Sequence, residues 1–243
     1  MSDVSFRTPD GTDVPSVTAS EMREVDRIAV EEVGLQLLQM MENAGRNLAG
    51  QCRQRHTDGE IVIVAGSGGN GGGGLACGRH LANRGLSVSI VLDRPPAELQ
   101  GAVETQYRIL DEMDIEVTTD AEPIDRASLL VDALIGYGLH GPPRGRALEL
   151  IEASNRSLAP RLSLDIPSGY DATTGEAPAA AITPDQTMTL ALPKTGLSNV
   201  PGELLLADIA IPAVVYQRLD IPYENPFVDG YRLPIEITEN GTA

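Results

Sequence analysis

Seven glycines fall within the nine residues Gly66 to Gly74, directly after the apolar run Ile61-Val62-Ile63-Val64-Ala65 and directly before a helical pattern that opens at Leu75. A short, continuously apolar run bounded by glycine is what a strand buried on both faces looks like. Running through a turn into a helix, it is the opening unit of an α/β fold. Glycine leaves the backbone free to take positive φ and to approach a ligand closely, while the unpaired amides and dipole of the following helix favour an anion. Gly66-x-Gly68-x-x-Gly71 also satisfies the dinucleotide fingerprint. The acid nearest the ribose position is Asp93, somewhat later than the usual ~20 residues past the motif. No Lys-Ser or Lys-Thr follows, which excludes a Walker loop. The plain alternative is a tight turn that holds nothing.

The rest of the chain extends the pattern. Strands are expected over 87–93, 115–118, 129–136, 161–166, 187–192 and 203–211, with a helix over 98–112. Apolar strands alternating with helices predict a Rossmann-like three-layer sandwich around a mostly parallel sheet, as a single domain. Two helices precede the glycine segment. Thr18 and Glu21 have capping-box spacing ahead of Met22, Val25, Ile28 and Ala29, and Leu37, Leu38, Met41, Ala44, Leu48 and Cys52 line one side of residues 35–52. Asn43 and Gly45 in that second helix are poor helix formers without an evident role. Residues 1–17 read as a flexible leader, residues 18–243 as the folded unit, and the proline-rich stretch after Pro212 as a surface wrap.

Charge limits the partners. Thirty-five acids against 18 Lys plus Arg give −17, a surface that repels phosphate backbones and anionic lipid, so neither nucleic acid nor a membrane is expected. The acids are dispersed rather than gathered in a tail, as suits a salt-rich cytoplasm. Cys52 and Cys77 lack metal spacing and read as buried thiols in a reducing compartment. With neither a signal peptide nor a membrane span in view, a cytoplasmic location is expected.

In an open α/β sheet, ligands gather outside the strand C-termini. Asp132 lies within the run that finishes in Gly136-Tyr137-Gly138-Leu139-His140-Gly141-Pro142, and Asp165 ends another and leads into Pro167-Ser168-Gly169. A carboxylate in an apolar strand is costly to bury unless paired or bound to a cation. Two of them point to a polar site that holds a cation or a hydroxyl-bearing ligand, although each alone could be a turn or cap carboxylate. His56, His80 and His140 have no metal spacing, and Lys194 follows a strand where it could reach an anion.

The segments MMENAG, AGSGGNGGGGLACGRHL, VDALIGYGL, DIPSGYDATTGE and LPKTGL, in this order, resemble the NAD(P)HX epimerases, the YjeF N-terminal domain family, from about Thr18 to Pro212. The resemblance implies a Rossmann-like fold, a homodimer, and interconversion of the R and S forms of hydrated NADH or NADPH at C6, with a separate dehydratase acting next. By motif it implies potassium as cofactor, held by Asn70, Asp132 and Ser168. It implies substrate contacts from Gly69, Asn70, Gly71, Gly72, Gly73, Gly136, Tyr137, Gly138, Leu139, His140, Gly141, Pro142 and Asp165. Asp165 is the expected catalytic proton carrier, with Lys194 in support. Where the family reads NNGGDG this chain reads GNGGGG, so Gly69 replaces an Asn and Gly73 an Asp. Two other readings stand beside the epimerase: a catalytically impaired nucleotide-binding or scaffold domain, favoured by Gly73, and an NAD-dependent oxidoreductase, resting on the fingerprint and Asp93.

Overall fold

The computed structural model describes residues 4–55, 58–113 and 115–239; His56 lies outside them. Its centre is β3 (Glu60–Ala65), in which every residue from Ile61 to Ala65 is buried. On one face Ile61 and Ile63 pack with Leu48 of α2 (Leu37–Arg55), Leu75 and Leu81 of α3 (Gly69–Ala82) and Leu110 of α4 (Gly101–Asp111). On the other, Val62 and Val64 meet Ile124 of α5 (Glu122–Asp125) and Leu150 and Ile151 of α6 (Gly145–Arg156). The period-two alternation of a strand thus feeds two helical layers, and the three-layer expectation holds.

Strand β3 pairs in parallel with β4 (Val88–Leu92) on one side and β6 (Ala127–Ala133) on the other. Beyond β4 lies β5 (Glu116–Thr118); beyond β6 come β7 (Arg161–Leu164), β8 (Gln186–Leu190) and β9 (Glu203–Ala207), all parallel. The two wings therefore leave β3 in opposite directions. A crevice must open between the loops that follow β3 and β6, the switch point at which doubly wound sheets hold ligands.

Past β9 the sheet becomes antiparallel: β10 (Arg232–Glu239) pairs with β9, β1 (Val4–Arg7) with β10, and β2 (Asp13–Val14) with β1. Among the described residues the sheet has ten strands, in the order β2-β1-β10-β9-β8-β7-β6-β3-β4-β5. This differs from the loose leader expected for residues 1–17. Phe6 and Val14 are buried against Leu204, Leu206 and Ile235, and Ser5 pairs with Thr238, a partner that no local pattern reveals. The stretch after Pro212 likewise supplies α7 (Ala213–Arg218) and β10 rather than only a wrap.

Helix α1 (Ala19–Arg27) starts at the expected capping box: Glu21 N–H donates to Thr18 Oγ1 at 3.2 Å, and Thr18 N–H to Glu21 Oε2 at 2.7 Å. The awkward residues of α2 also find their purpose. A Cβ on Gly45 would stand 2.5 Å from Ala76 Cβ and 2.7 Å from Gly73 O, so glycine lets α2 and α3 touch backbone to backbone. Asn43 reaches the carbonyl of Ile209 at 3.4 Å. Cys52 and Cys77 are free and buried, as expected, and burial pushes the Cys77 thiol up.

Candidate active site

The glycine segment is helical sooner than its sequence implies. Gly68 is the N-cap of α3, and none of the glycines from Gly66 to Gly74 takes a positive φ. Close packing is what excludes side chains here. A Cβ on Gly66 would meet Leu134 O at 2.0 Å, on Gly71 the carbonyl of Gly66 at 1.6 Å, and on Gly74 Ala133 Cβ at 2.6 Å. Gly72 faces Met41, and Gly73 faces Leu164 and Ala44. The first turn of α3 is thereby pressed onto the ends of β3 and β6, and the expected freedom of the loop is replaced by a fixed crest.

That crest forms one wall of a cavity of about 530 Å³ at the switch point. Ser67 and Gly68 line it from the turn that enters α3, Gly69 and Asn70 from the first turn of that helix, Gly136 to Gly138 from the loop after β6, Asp165 from the end of β7, and Lys194 from beyond β8. Met22, Leu37, Met40, Met41 and Ile209 supply the apolar side. Apolar walls with a few converging polar groups are the usual make-up of a small-molecule site. Asp93, at the end of β4, also reaches the wall, paired with Arg94 at 3.1 Å.

Asp165 stands where the parallel strand ends and the chain turns left-handed, with φ 69. Such a conformation in a non-glycine residue costs of order 1–3 kcal/mol and persists only when its surroundings fix it. Here they do. Lys194 Nζ, 1% exposed, donates to Asp165 Oδ1 and to the carbonyl of Leu190 at 3.0 Å, while Tyr137 N–H donates to Asp165 Oδ2 at 3.1 Å. The glycine at 136 is what admits the meeting: a Cβ there would lie 3.1 Å from Asp165 Oδ2 and 3.3 Å from Asn70 Cγ. Asn70 and Asp165, ninety-five positions apart in the chain, therefore flank the same point.

Asp132 and Ser168 form a layer behind this wall rather than part of it. The Asp132 carboxylate accepts from Ser168 Oγ at 2.5 Å, Ser168 N–H at 2.8 Å, Ser163 Oγ at 2.8 Å and Leu134 N–H at 3.2 Å. Burial pushes its carboxyl up, and these bonds oppose the push. Ile135 N–H donates to Ser168 Oγ at 2.8 Å, which fixes the loop that carries Gly136 and Tyr137. Of the three residues expected around potassium, Asn70 alone lines the cavity, and both polar atoms of its amide are buried without a hydrogen-bond partner among the described residues.

Gly71, Gly72, Gly73, Leu139, His140, Gly141 and Pro142 do not line the cavity, and His140 is exposed. The expectation missed the contribution of α1: Arg23 and Asp26 sit on the wall, and the Tyr137 hydroxyl donates to Asp26 Oδ2. Burial pushes the Asp26 carboxyl up, opposed by the bond from Tyr137; the Tyr137 phenol is itself raised, by burial and then by the Asp26 charge. A signal was present in the sequence. Met22, Val25, Asp26 and Ala29 follow i, i+3, i+4, i+7, which places an acid inside the stripe that faces the core.

Fold and site together define a doubly wound α/β protein with a small-molecule crevice at its switch point and a buried Asp–Lys pair on the crevice wall. The chain belongs to the family described as YjeF-related protein N-terminus, which matches residues 37–196. It is 41% identical to the NAD(P)H-hydrate epimerase of Dehalogenimonas lykanthroporepellens, over 97% of this chain and 99% of that one. It is 33% identical to the NAD(P)H-hydrate epimerase of Rhodopirellula baltica, over 86% and 89%. The bifunctional NAD(P)H-hydrate repair enzyme Nnr of Hyperthermus butylicus is 37% identical over 81% of this chain, which spans 38% of that longer protein. The crystal structure of yeast ynu0 shares the fold, with a TM-score of 0.80, 24% identity, and coverage of 91% of this chain and all of that one.

Proposed function

We propose that this chain is an isomerase that interconverts the R and S forms of hydrated NADH and NADPH at C6, a nicotinamide-nucleotide repair step. The observation that carries the reading is the meeting of Asp165, Lys194 and Asn70 on one cavity wall in a chain so similar to NAD(P)H-hydrate epimerases. The C6 carbon bears a ring nitrogen and a hydroxyl. When the hydroxyl leaves as water, the nitrogen lone pair forms an iminium cation, and water then returns to either face. Asp165 moves a proton in this exchange, and its negative oxygens, fixed by Lys194 and the Tyr137 amide, lie in wait for the cation. Gly73 is packed against Leu164 and Ala44, so its lack of a carboxylate leaves the acids of the cavity wall in place; this weighs against the impaired-domain reading.

The chemistry of the donors and the unpartnered Asn70 amide support potassium as the cofactor, with Asp132 and Ser168 behind the wall. Asn70, Asp132 and Ser168 offer only hard oxygen, and the unpartnered Asn70 Oδ1 has a lone pair to give. When bound, the ion supplies positive charge near the crest and anchors the ligand's anionic part. The site's occupancy is tested by thermal unfolding in potassium against tetramethylammonium: a stabilisation that Asn70→Ala abolishes supports it. We place the enzyme in a reducing cytoplasm as a homodimer, its product passing to a dehydratase, in keeping with the longer bifunctional relatives. Sedimentation equilibrium checks the dimer.

The decisive assay follows the epimer ratio of enriched (R)-NADHX by chromatography. Acceleration by the wild type and its loss in Asp165→Asn are expected. An unchanged rate in the variant excludes the role of Asp165, and binding without conversion by the wild type returns the impaired-domain reading. Hydride transfer to a test substrate would instead favour the oxidoreductase.

A further inference from the structure

Asp165 is committed to Lys194, and expulsion of a hydroxyl needs a proton delivered to it. Of the other two acids on the cavity wall, Asp93 is paired with Arg94, which leaves Asp26, on α1. Its placement is built rather than incidental. Met22 and Val25 bury the same side of α1, and the Tyr137 hydroxyl donates to Asp26 Oδ2. Among the described residues no hydrogen bond reaches Asp26 Oδ1, so that oxygen is left for a ligand. Tyr137 also gives its backbone N–H to Asp165, at 3.1 Å. One residue therefore spans the two carboxylates and sets their spacing.

Resting on the epimerase reading, we infer that Asp26, held by Tyr137, is the catalytic acid that releases the C6 hydroxyl, with Asp165 as the partner that accepts the proton when water returns. The Oδ1–H bond of Asp26 breaks as the hydroxyl gains that proton. The C6–O bond then breaks to give water, and the N1 lone pair becomes the C=N bond of the iminium. On return, a water oxygen bonds to C6 at the other face, the C=N pair goes back to nitrogen, and the surplus proton passes to Asp165. One proton enters from Asp26 and one leaves to Asp165, without oxidation or reduction. Exchange with bulk water resets the pair. Asp26 feels Tyr137, Lys194 and Asp165 from the loops, Tyr216 from α7, and Arg23 lies one turn back on its own helix. Burial outweighs the stabilising neighbours, so Asp26 keeps its proton to higher pH than an ordinary carboxyl.

The experiment is the pH dependence of NADHX epimerisation in wild type, Asp26→Asn and Tyr137→Phe, with the uncatalysed rate subtracted and folding checked by circular dichroism. In the wild type kcat/KM should fall on the alkaline side as Asp26 loses its proton. Asp26→Asn should lower kcat by about 10²–10⁴-fold with KM little changed, and abolish that limb. Tyr137→Phe removes the bond that favours the Asp26 carboxylate, so its limb should move to higher pH; this arm stands even if Asp26→Asn does not fold. An active wild type whose rate and profile are matched by Asp26→Asn overturns the inference alone, as does an unmoved limb in Tyr137→Phe. A wild type that does not accelerate epimerisation overturns both this role and the epimerase reading.

Discussion

Replacing Lys194 by Met tests the energetics on which the site stands. The ammonium is 1% exposed, and the side chain of its partner Asp165 is 5% exposed. Met is of similar length, so packing is largely kept while the charge goes. Removing one member of a buried pair leaves the other as an uncompensated ion, at about 3–5 kcal/mol. The bond to the Leu190 carbonyl at 3.0 Å is lost as well. For a domain of 150–250 residues each kcal/mol moves Tm by about 2–4 °C, so a drop of about 6–20 °C is expected. Urea unfolding followed by circular dichroism measures the cost through the midpoint at constant m. The double variant Lys194→Met/Asp165→Asn isolates the cause. With both charges absent its loss should be clearly smaller than that of Lys194→Met alone, a coupling that only an interacting pair gives. A Lys194→Met protein within about 1 kcal/mol of wild type would refute the reasoning, since a pair this dry cannot be broken so cheaply.

Gly71→Ala and Gly73→Ala should separate sharply in chemical unfolding. The first drives a Cβ to 1.6 Å from the Gly66 carbonyl and should cost about 3 kcal/mol or more, whereas the second meets the flexible tip of Leu164 at 3.0 Å and gains helix propensity, ending within about 1 kcal/mol of wild type. Equal costs would mean that the crest is not fixed by backbone contact. Asp26→Asn should become progressively more stable relative to wild type as pH rises. A carboxyl whose folded pKa is raised favours the native state at low pH and penalises it once ionised, so the difference grows from the ordinary carboxylate range up through the raised value and then levels off. A pH-independent difference would contradict the burial penalty. Thr18→Ala should cost about 0.5–2 kcal/mol by loss of the capping box, with Thr18→Ser close to wild type in the same assay.

The parallel half of the fold is legible because its signals are local. Residues 61–65 are wholly apolar, and 88–92 and 129–133 are apolar but for Ser89 and Asp132; at five residues each, with Gly or Pro soon after, they are too short for helices and read as buried strands. The antiparallel extension is not legible in the same way: Ser5 finds Thr238 across the whole chain, and four residues of mixed polarity carry no periodicity of their own. The glycine segment shows a subtler failure. Its position was readable, but glycine is silent about which of its two uses applies, and close approach of helix to sheet prevailed over positive φ. In the site, Asp165 and Asn70 were found through strand ends and motif. Asp26 is harder to read, because a helix acid is normally solvated and its partner Tyr137 lies 111 positions away in the chain.

The seam where α3 meets α2 and the sheet also shapes how this protein can vary over time. Any replacement of glycine, whatever the codon change behind it, brings at least one carbon, and Gly45, Gly71 and Gly74 have no space for one. Such positions cannot drift singly; at Gly74 a newcomer survives only when Ala133 alters in concert, and at Gly45 and Gly71, where the obstacle is backbone, only when the helix shifts bodily. Lineages descended from this chain should therefore change at the seam in linked sets, and rarely, while the acids of the outer surface turn over freely one at a time.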